Sequence, residues 1–194
     1  QSLLPGPHTS KRNRDHQVYP YLLRELKIDR PNQVWATDIT YVPMKRGFLY
    51  LTAIIDLYSR YVVHWKLANS MEATWCKELV VEALEIHQVV PNIFNTDQGV
   101  QYTSKVFTDC IISNGMKLSM DGKGRATDNA FIERLWRSVK YEKLYRYEYE
   151  TGKELYDMIE DYFIYYNTQR RHSSIQDEYP VEWYRQQKRK KIAA

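Results

Sequence analysis

The sequence predicts an α/β domain in which helices flank a sheet. Three features predict it: three β-rich runs in succession, a later alternation of short apolar runs with helix-capping signals, and an aromatic-rich globular composition. From Val34 to Val42 the run VWATDITYV alternates the large Trp35, Ile39 and Tyr41 with smaller or polar residues, as a strand with two unlike faces does. Asp38 falls in its middle. A turn at residues 45–47 leads into FLYLTAIID (Phe48 to Asp56), and a short turn, Leu57 to Arg60, into YVVHWKL (Tyr61 to Leu67). Three antiparallel strands are the simplest reading.

Asn69 and Glu72 have capping-box spacing ahead of a helix to about His87, with Trp75, Leu79, Ala83 and Ile86 on one stripe that should cover the sheet. Pro91 precedes a short strand, Ile93 to Thr96, which ends at Asp97 and the Gly99 turn. A helix over Ser104 to Ser113 and a strand over Met116 to Ser119 follow. Asp97 thus stands at the C-terminal end of a strand, where α/β sheets commonly place ligands. The loop DGKGR, bracketed by Gly122 and Gly124, precedes Asp128, which caps a helix reaching about Tyr145 and carrying Glu133. Thr151 and Glu154 form another capping box, opening a Tyr-rich helix to about Asn167 in which Tyr156, Ile159 and Phe163 read as core.

With 194 residues the chain suits one well-buried domain. Residues 1–30 read as a basic arm or linker, 31–184 as the core and 185–194 as a basic tail. No apolar run approaches the ~18 residues that span a bilayer, and the N-terminal residues, polar and basic with Pro5 and Pro7, lack the apolar stretch of a signal peptide. Cys76 and Cys110 have neither disulfide nor zinc spacing, so a cytoplasmic, nucleoid-associated location is expected. The formal net charge is +4, but residues 1–30 hold six Lys/Arg against three acids and residues 185–191 hold five against none. The 17 Lys/Arg and 21 Asp/Glu between them leave a net negative core, so local basic patches must supply any attraction for nucleic acid.

A carboxylate in the middle of a buried strand costs several kcal/mol, of the order of 2 to 7, unless it is paired or binds a metal. Asp38 therefore needs a partner, and Asp97 and Glu133 are placed where a folded sheet could bring all three together. The intervals between them are 58 and 35 residues. At about 100° per residue Arg137 and Lys140 lie within about 40° of Glu133, while Phe131, Leu135 and Val139 take the opposite side. Hard carboxylate oxygens suit Mg²⁺, with Mn²⁺ as substitute. Two ions about 3.5 to 4 Å apart would serve an in-line displacement at phosphorus. Taken singly, each acid is equally well a surface charge.

Four ordered blocks carry a further likeness: VWATDITYV, FNTDQGVQYTS (Phe94 to Ser104), SMDGKGRATDNAFIERLWRSVK (Ser119 to Lys140) and YYNTQRRHSSI (Tyr165 to Ile175). They resemble the catalytic core of bacterial insertion-sequence transposases of the DDE type, second reading-frame products related to retroviral integrases. The likeness spans roughly Asn32 to Trp183. It implies a ribonuclease-H-like fold, a mixed five-stranded sheet flanked by helices, with Asp38 on the first strand, Asp97 after the fourth and Glu133 on a helix. It also implies strand cleavage at element ends followed by attack of the freed 3′-hydroxyl, with Lys140 contacting DNA near the reacting end. Double-stranded DNA and a homo-oligomer on DNA are implied partners. So is an upstream helix-turn-helix protein or domain outside this chain. Gln98 and Val100 depart from the pattern.

Lys123, Arg125, Arg134, Arg137 and Lys140 could form an electrostatic DNA track, or a solvated helix with ion pairs. Trp136 and Tyr141 could stack on unpaired bases or serve helix packing. Arg170, Arg171 and His172 could bind phosphate or close a helix C-terminus. A nuclease of the same fold, which hydrolyses without joining, and a DNA-binding protein with a decayed site are the competing readings.

Overall fold

The computed structural model describes residues 17–122 and 130–185. Strands β1 (Val34–Pro43), β2 (Phe48–Asp56) and β3 (Val62–Ala68) follow one another, then helix α1 (Ala73–His87), β4 (Ile93–Thr96), a short α2 (Val100–Thr103), α3 (Lys105–Ser113) and β5 (Lys117–Met120). Helix α4 (Ala130–Val139) runs into a π-turn, Lys140–Leu144, and α5 (Gly152–Thr168) precedes a 3₁₀ turn at Ser173–Ile175. The sheet has five strands in the order β3-β2-β1-β4-β5. The β1–β2 and β2–β3 pairs are antiparallel, while β1–β4 and β4–β5 are parallel, so the sheet is mixed as expected.

Alternation along β1 divides the core between the two faces of the sheet. Val34, Ala36 and Val42 join Leu51, Ala53 and Ile55 beneath α4 and α5, where Ile132, Leu135, Val139, Ile159 and Phe163 cover them. Trp35 and Ile54 point the other way, into a second cluster with Leu79 and Val80 of α1, Phe94 of β4, and Phe107 and Ile111 of α3. With helices on both faces, a short strand such as β4 is buried along its whole length. Residues 19–28, read from the sequence as part of an arm, lie on the domain. Leu22 donates its N–H to Ser119 Oγ at 3.0 Å, and Leu23, Leu26 and Ile28 pack against the α4/α5 side.

The helix ends test the capping expectations. Ser104 caps α3 by accepting from the Phe107 N–H at 3.4 Å. At α5, Thr151 Oγ1 accepts from the Glu154 N–H at 3.2 Å while the Glu154 carboxylate takes the Glu150 N–H at 2.9 Å, one residue before the expected donor. The Asn69 cap is corrected: α1 begins at Ala73 with Glu72 at the N-cap and no side-chain cap bond, because β3 runs to Ala68 and Asn69 is taken up in the bend that follows it. Ile86 is 61% exposed, as α1 presents Trp75, Cys76, Leu79, Val80 and Ala83 to the sheet while His87 in the same last turn faces inward, its Nε2 bonding the Val63 carbonyl at 2.8 Å. Tyr156 is corrected likewise. It is 45% exposed with its ring on Trp65, while Ile159 and Phe163 are buried. Phe131 is 41% exposed rather than core. The Asp128 cap lies outside the described residues.

One buried carboxylate ties the antiparallel half of the sheet to the start of β1. Asp56, fully buried at the end of β2, accepts from the Asn32 N–H at 2.7 Å, the Ser59 N–H at 2.8 Å and Ser59 Oγ at 2.6 Å. Asn32 uses its left-handed backbone (φ 60°) to make this approach, and its side-chain oxygen accepts from Trp35 Nε1 at 3.0 Å. Asp56→Ala leaves three donors unpaired in the interior. It is expected to cost about 3 kcal/mol, read as a lowered urea midpoint with unchanged slope; a change below ~0.5 kcal/mol would show that the cluster does not hold this corner.

Candidate active site

The parallel register builds the site. Val34 pairs with Ile93 and Ala36 with Asn95, so continuing along both strands brings Asp38 level with Asp97 just beyond β4. Thr96 pairs with Met120, which brings Asp121 level with Asp97 in turn. Three aspartates therefore stand in one row across three adjacent strands, Asp38 in the middle of β1 and Asp97 and Asp121 just beyond the ends of β4 and β5. Asp121 is the member that sequence reasoning missed. Its signal was its place immediately after a short strand, the same signal that singled out Asp97.

Each member of the row is held differently. Asp38 takes a hydrogen bond from Trp136 Nε1 at 3.0 Å on its Oδ2, and its carbonyl accepts from Thr52 Oγ1 at 2.9 Å on β2. Burial pushes its carboxyl up to about 6, against the bonds from Ile39 and Trp136, and the charges of Asp97 and Asp121 push the same way. Asp97 is also raised by burial, and the Gly99 N–H, donating to its Oδ1 at 2.8 Å, opposes that. A Cβ at Gly99 would come within 2.9 Å of the same oxygen, so the turn needs glycine to let its backbone reach the carboxylate. Asp121 is buried and accepts from Asn95 Nδ2 at 2.8 Å on Oδ1. Gln98, one of the departures from the family pattern, donates Nε2 to the Asp121 carbonyl at 2.8 Å and so joins the loop after β4 to the end of β5.

Glu133 stands apart from this row in environment. It is exposed on the first turn of α4, whose opposite face is anchored by Ile132, Leu135, Trp136 and Val139. Among the described residues no group of three or more His, Cys, Asp or Glu side chains is disposed to hold a metal ion. Trp136, left between base stacking and packing by the sequence, is buried and links the Glu133 helix to Asp38. Tyr141 is exposed beside Arg137, whose guanidinium lies 6.0 Å from its ring. Arg134 and Arg137 are exposed and Lys140, at the start of the π-turn, is half-buried. Lys123 and Arg125 lie outside the described residues. Arg170 neither caps α5 nor stands free: its guanidinium bonds Glu142 at 2.7 and 2.8 Å, and Tyr162 donates a further hydrogen bond to that carboxylate at 2.8 Å.

Because the folded Asp38 carboxyl lies near 6 and its ordinary value is 3.8, the folded chain binds that proton more tightly than the unfolded chain. Its contribution to stability is complete below pH about 4 and falls away as pH rises through about 6, by about 3 kcal/mol. Asp38→Asn has no such proton. In chelator it is expected to exceed the parent in urea stability by up to about 3 kcal/mol at pH 8 and to match it near pH 4; a difference that does not vary with pH would contradict the desolvation.

The integrase core domain family model matches residues 28–126, and a second integrase core domain model matches residues 114–180. The transposase for insertion sequence element IS904 of Lactococcus lactis is 35% identical over 167 residues, covering 84% of this chain and 66% of that protein. The chain spans between 62% and 66% of the length of its first curated relatives. Among solved structures, the simian T-cell lymphotropic virus intasome in complex with a PP2A regulatory subunit superposes with a TM-score of 0.69 at 20% identity, over 89% of this chain and 60% of the other. The HTLV-2 integrase catalytic core domain in complex with magnesium gives 0.62 at 19% identity, over 81% and 99%. The fold agrees with these, and the sequence matches carry the classification: this chain belongs to the integrase core domain family.

Proposed function

We propose that the chain is the catalytic core of a DNA transposase that cuts one strand at the ends of a mobile element and then directs the freed 3′-hydroxyl at a second phosphodiester. The observation that carries this reading is the level placement of Asp38 and Asp97 by the parallel register, with both carboxyls raised by burial. Desolvated carboxylates that repel one another favour a cation between them, and their hard oxygens suit Mg²⁺, or Mn²⁺ in its place. Asp38, Asp97 and Glu133 would hold the metal. Two such ions, when bound, activate an attacking oxygen and stabilise a leaving one.

The chain's own groups prepare this site. Trp136 fixes the rotation of the Asp38 carboxylate and ties β1 to the helix that carries Glu133. Glu133 is the conditional ligand, because it rides on α4 rather than on the sheet. Arg134, Arg137 and Lys140, with Lys123 and Arg125 of the preceding loop, would contact the DNA backbone. The protein would work as a homo-oligomer on DNA, in the bacterial cytoplasm at the nucleoid, with an upstream helix-turn-helix part choosing the element ends. No described helix is long and apolar enough to cross a membrane.

Asp38→Asn, Asp97→Asn and Glu133→Gln are each expected to abolish end cleavage and joining, by about 10³-fold or more, assayed on labelled element-end DNA in Mg²⁺ and Mn²⁺. Full activity in any of them would sink the assignment. Cleaved but never joined product would point to a hydrolytic nuclease of the same fold. No divalent-metal binding by calorimetry would point to a decayed site. Trp136→Phe keeps an aromatic ring and removes the N–H; it is expected to slow cleavage about 10-fold and to shift the acid limb of the pH–rate profile upward, since the lost bond had favoured ionised Asp38. A slower rate with an unmoved profile would assign Trp136 to packing alone.

A further inference from the structure

A cavity of about 430 Å³ opens beside α4, around the helix from the face that carries Glu133. Ala130, Arg134 and Ser138 of α4 form one wall, and the segment after α5, from Arg170 to Ser174, forms the other. Its lining is cationic. Arg60, at the β2–β3 turn, lies over the Phe131 ring at 3.7 Å, with its Nε donating to Ser174 Oγ at 3.3 Å and its Nη1 to the Leu57 carbonyl. Arg171 donates Nη1 to the Asp177 carbonyl at 3.0 Å. Neither of these guanidinium groups, nor that of Arg134, has a carboxylate within ion-pair distance among the described residues.

The remaining charges in the wall are accounted for. Arg170 is neutralised by Glu142, and His172, beside that arginine and largely buried, is lowered to about 4 and so carries no charge at neutral pH. Arg60, lowered to about 10 by burial, still does. Among the described residues that line the cavity, the exposed Asp177 is the one acid set against Arg60, Arg134 and Arg171, while the buried Asp56 acts on Arg60 from outside the lining. Guanidinium forks held on a ring and on neutral oxygens are arranged to receive an anion with several acceptor oxygens.

We propose that this cavity is a phosphodiester-binding site, which takes one or two backbone phosphates of the DNA beside the strand that reaches the carboxylates. The inference rests on the reading of the chain as a DNA-transacting core. Its occupant is a phosphate group with at least two oxygens free to accept. Arg134 and Arg171 are the exposed contacts, and Arg60 is the half-buried positive charge behind them. Asp177 is the opposing charge that limits affinity. This extends the DNA track beyond the residues of α4 to the β2–β3 turn and the segment that follows α5.

The test is binding of the 194-residue chain to a fluorescently labelled DNA duplex, by anisotropy across a NaCl series in EDTA. Without turnover, an inactive carboxylate site leaves the result unchanged, so failure here and failure of the proposed catalysis are separable. The double variant R134Q/R171Q is expected to weaken binding and to reduce the slope of log K against log salt by about 0.9 for each phosphate that is no longer neutralised. Asp177→Asn is expected to tighten binding several-fold at low salt, an outcome that partial unfolding does not produce. Lys105→Gln, on α3 across the sheet, is expected to leave the slope as it is. In the parent, inorganic phosphate is expected to displace DNA more than chloride does at matched ionic strength, and this excess should vanish in R134Q/R171Q. An unchanged slope in the double variant, or no tightening in Asp177→Asn, would overturn the proposal. Phosphate displacement with unchanged DNA slopes would assign the cavity to free phosphate, and would overturn it as a DNA site.

Discussion

Everything at the candidate site depends on the parallel pairing of β1 with β4 and of β4 with β5. Parallel strands carry their residues past one another at a constant offset, so one register decides which positions stand level over the whole length. Here that offset brings Asp38, in the middle of β1, to the same height as Asp97 and Asp121 just past the ends of β4 and β5. A slip of one residue would turn the Asp38 side chain to the α1 face of the sheet and separate it from Trp136 and α4. The core enforces the register, because the same slip would turn Val34 and Ala36 into the wrong cluster.

The row of aspartates is electrostatically costly, and the surrounding groups offset only part of that cost. Trp136 and the backbone N–H groups of Ile39 and Gly99 favour the ionised forms, yet burial still leaves Asp38 and Asp97 above their ordinary range. Such an arrangement sacrifices stability of the chain by itself for affinity toward a cation. Asp56, inside the sheet corner, is likewise raised by burial and differs in its partners: it has three donors within 2.8 Å and holds two turns together.

Helix α4 links these features by having three distinct faces. Ile132, Leu135, Trp136 and Val139 are buried against the sheet, Glu133 is exposed with Arg137 and Lys140 at helical spacing, and Arg134 with Ser138 lines the cationic cavity. The π-turn that follows alters the helical repeat and carries Glu142 to Arg170 and Tyr162. That junction holds the segment after α5 in place as the far wall of the cavity. Charge is thus sorted by face: carboxylates at the sheet ends, uncompensated guanidinium groups beside them.

Much of this was legible in the chain as written. The β-rich runs of β1 to β3, the Thr151 cap and the strand-end position of Asp97 are local features, set by side-chain pattern and by hydrogen bonds within a few residues. These the sequence determined by itself, and they survive in the fold with shifts of a residue or two. What it did not determine were pairings between distant segments. Trp136 and Asp38 are separated by 98 positions, Arg60 and Ser174 by 114. Asp121 looked like any loop acid until β4 and β5 were set side by side, and Ile86 and Tyr156 matched a helical stripe yet stay exposed, Tyr156 with its ring on Trp65 of β3. The tertiary structure decided these because burial, register and the meeting of charges belong to the assembled layers, and no local pattern encodes which positions of a helical stripe the facing layer covers.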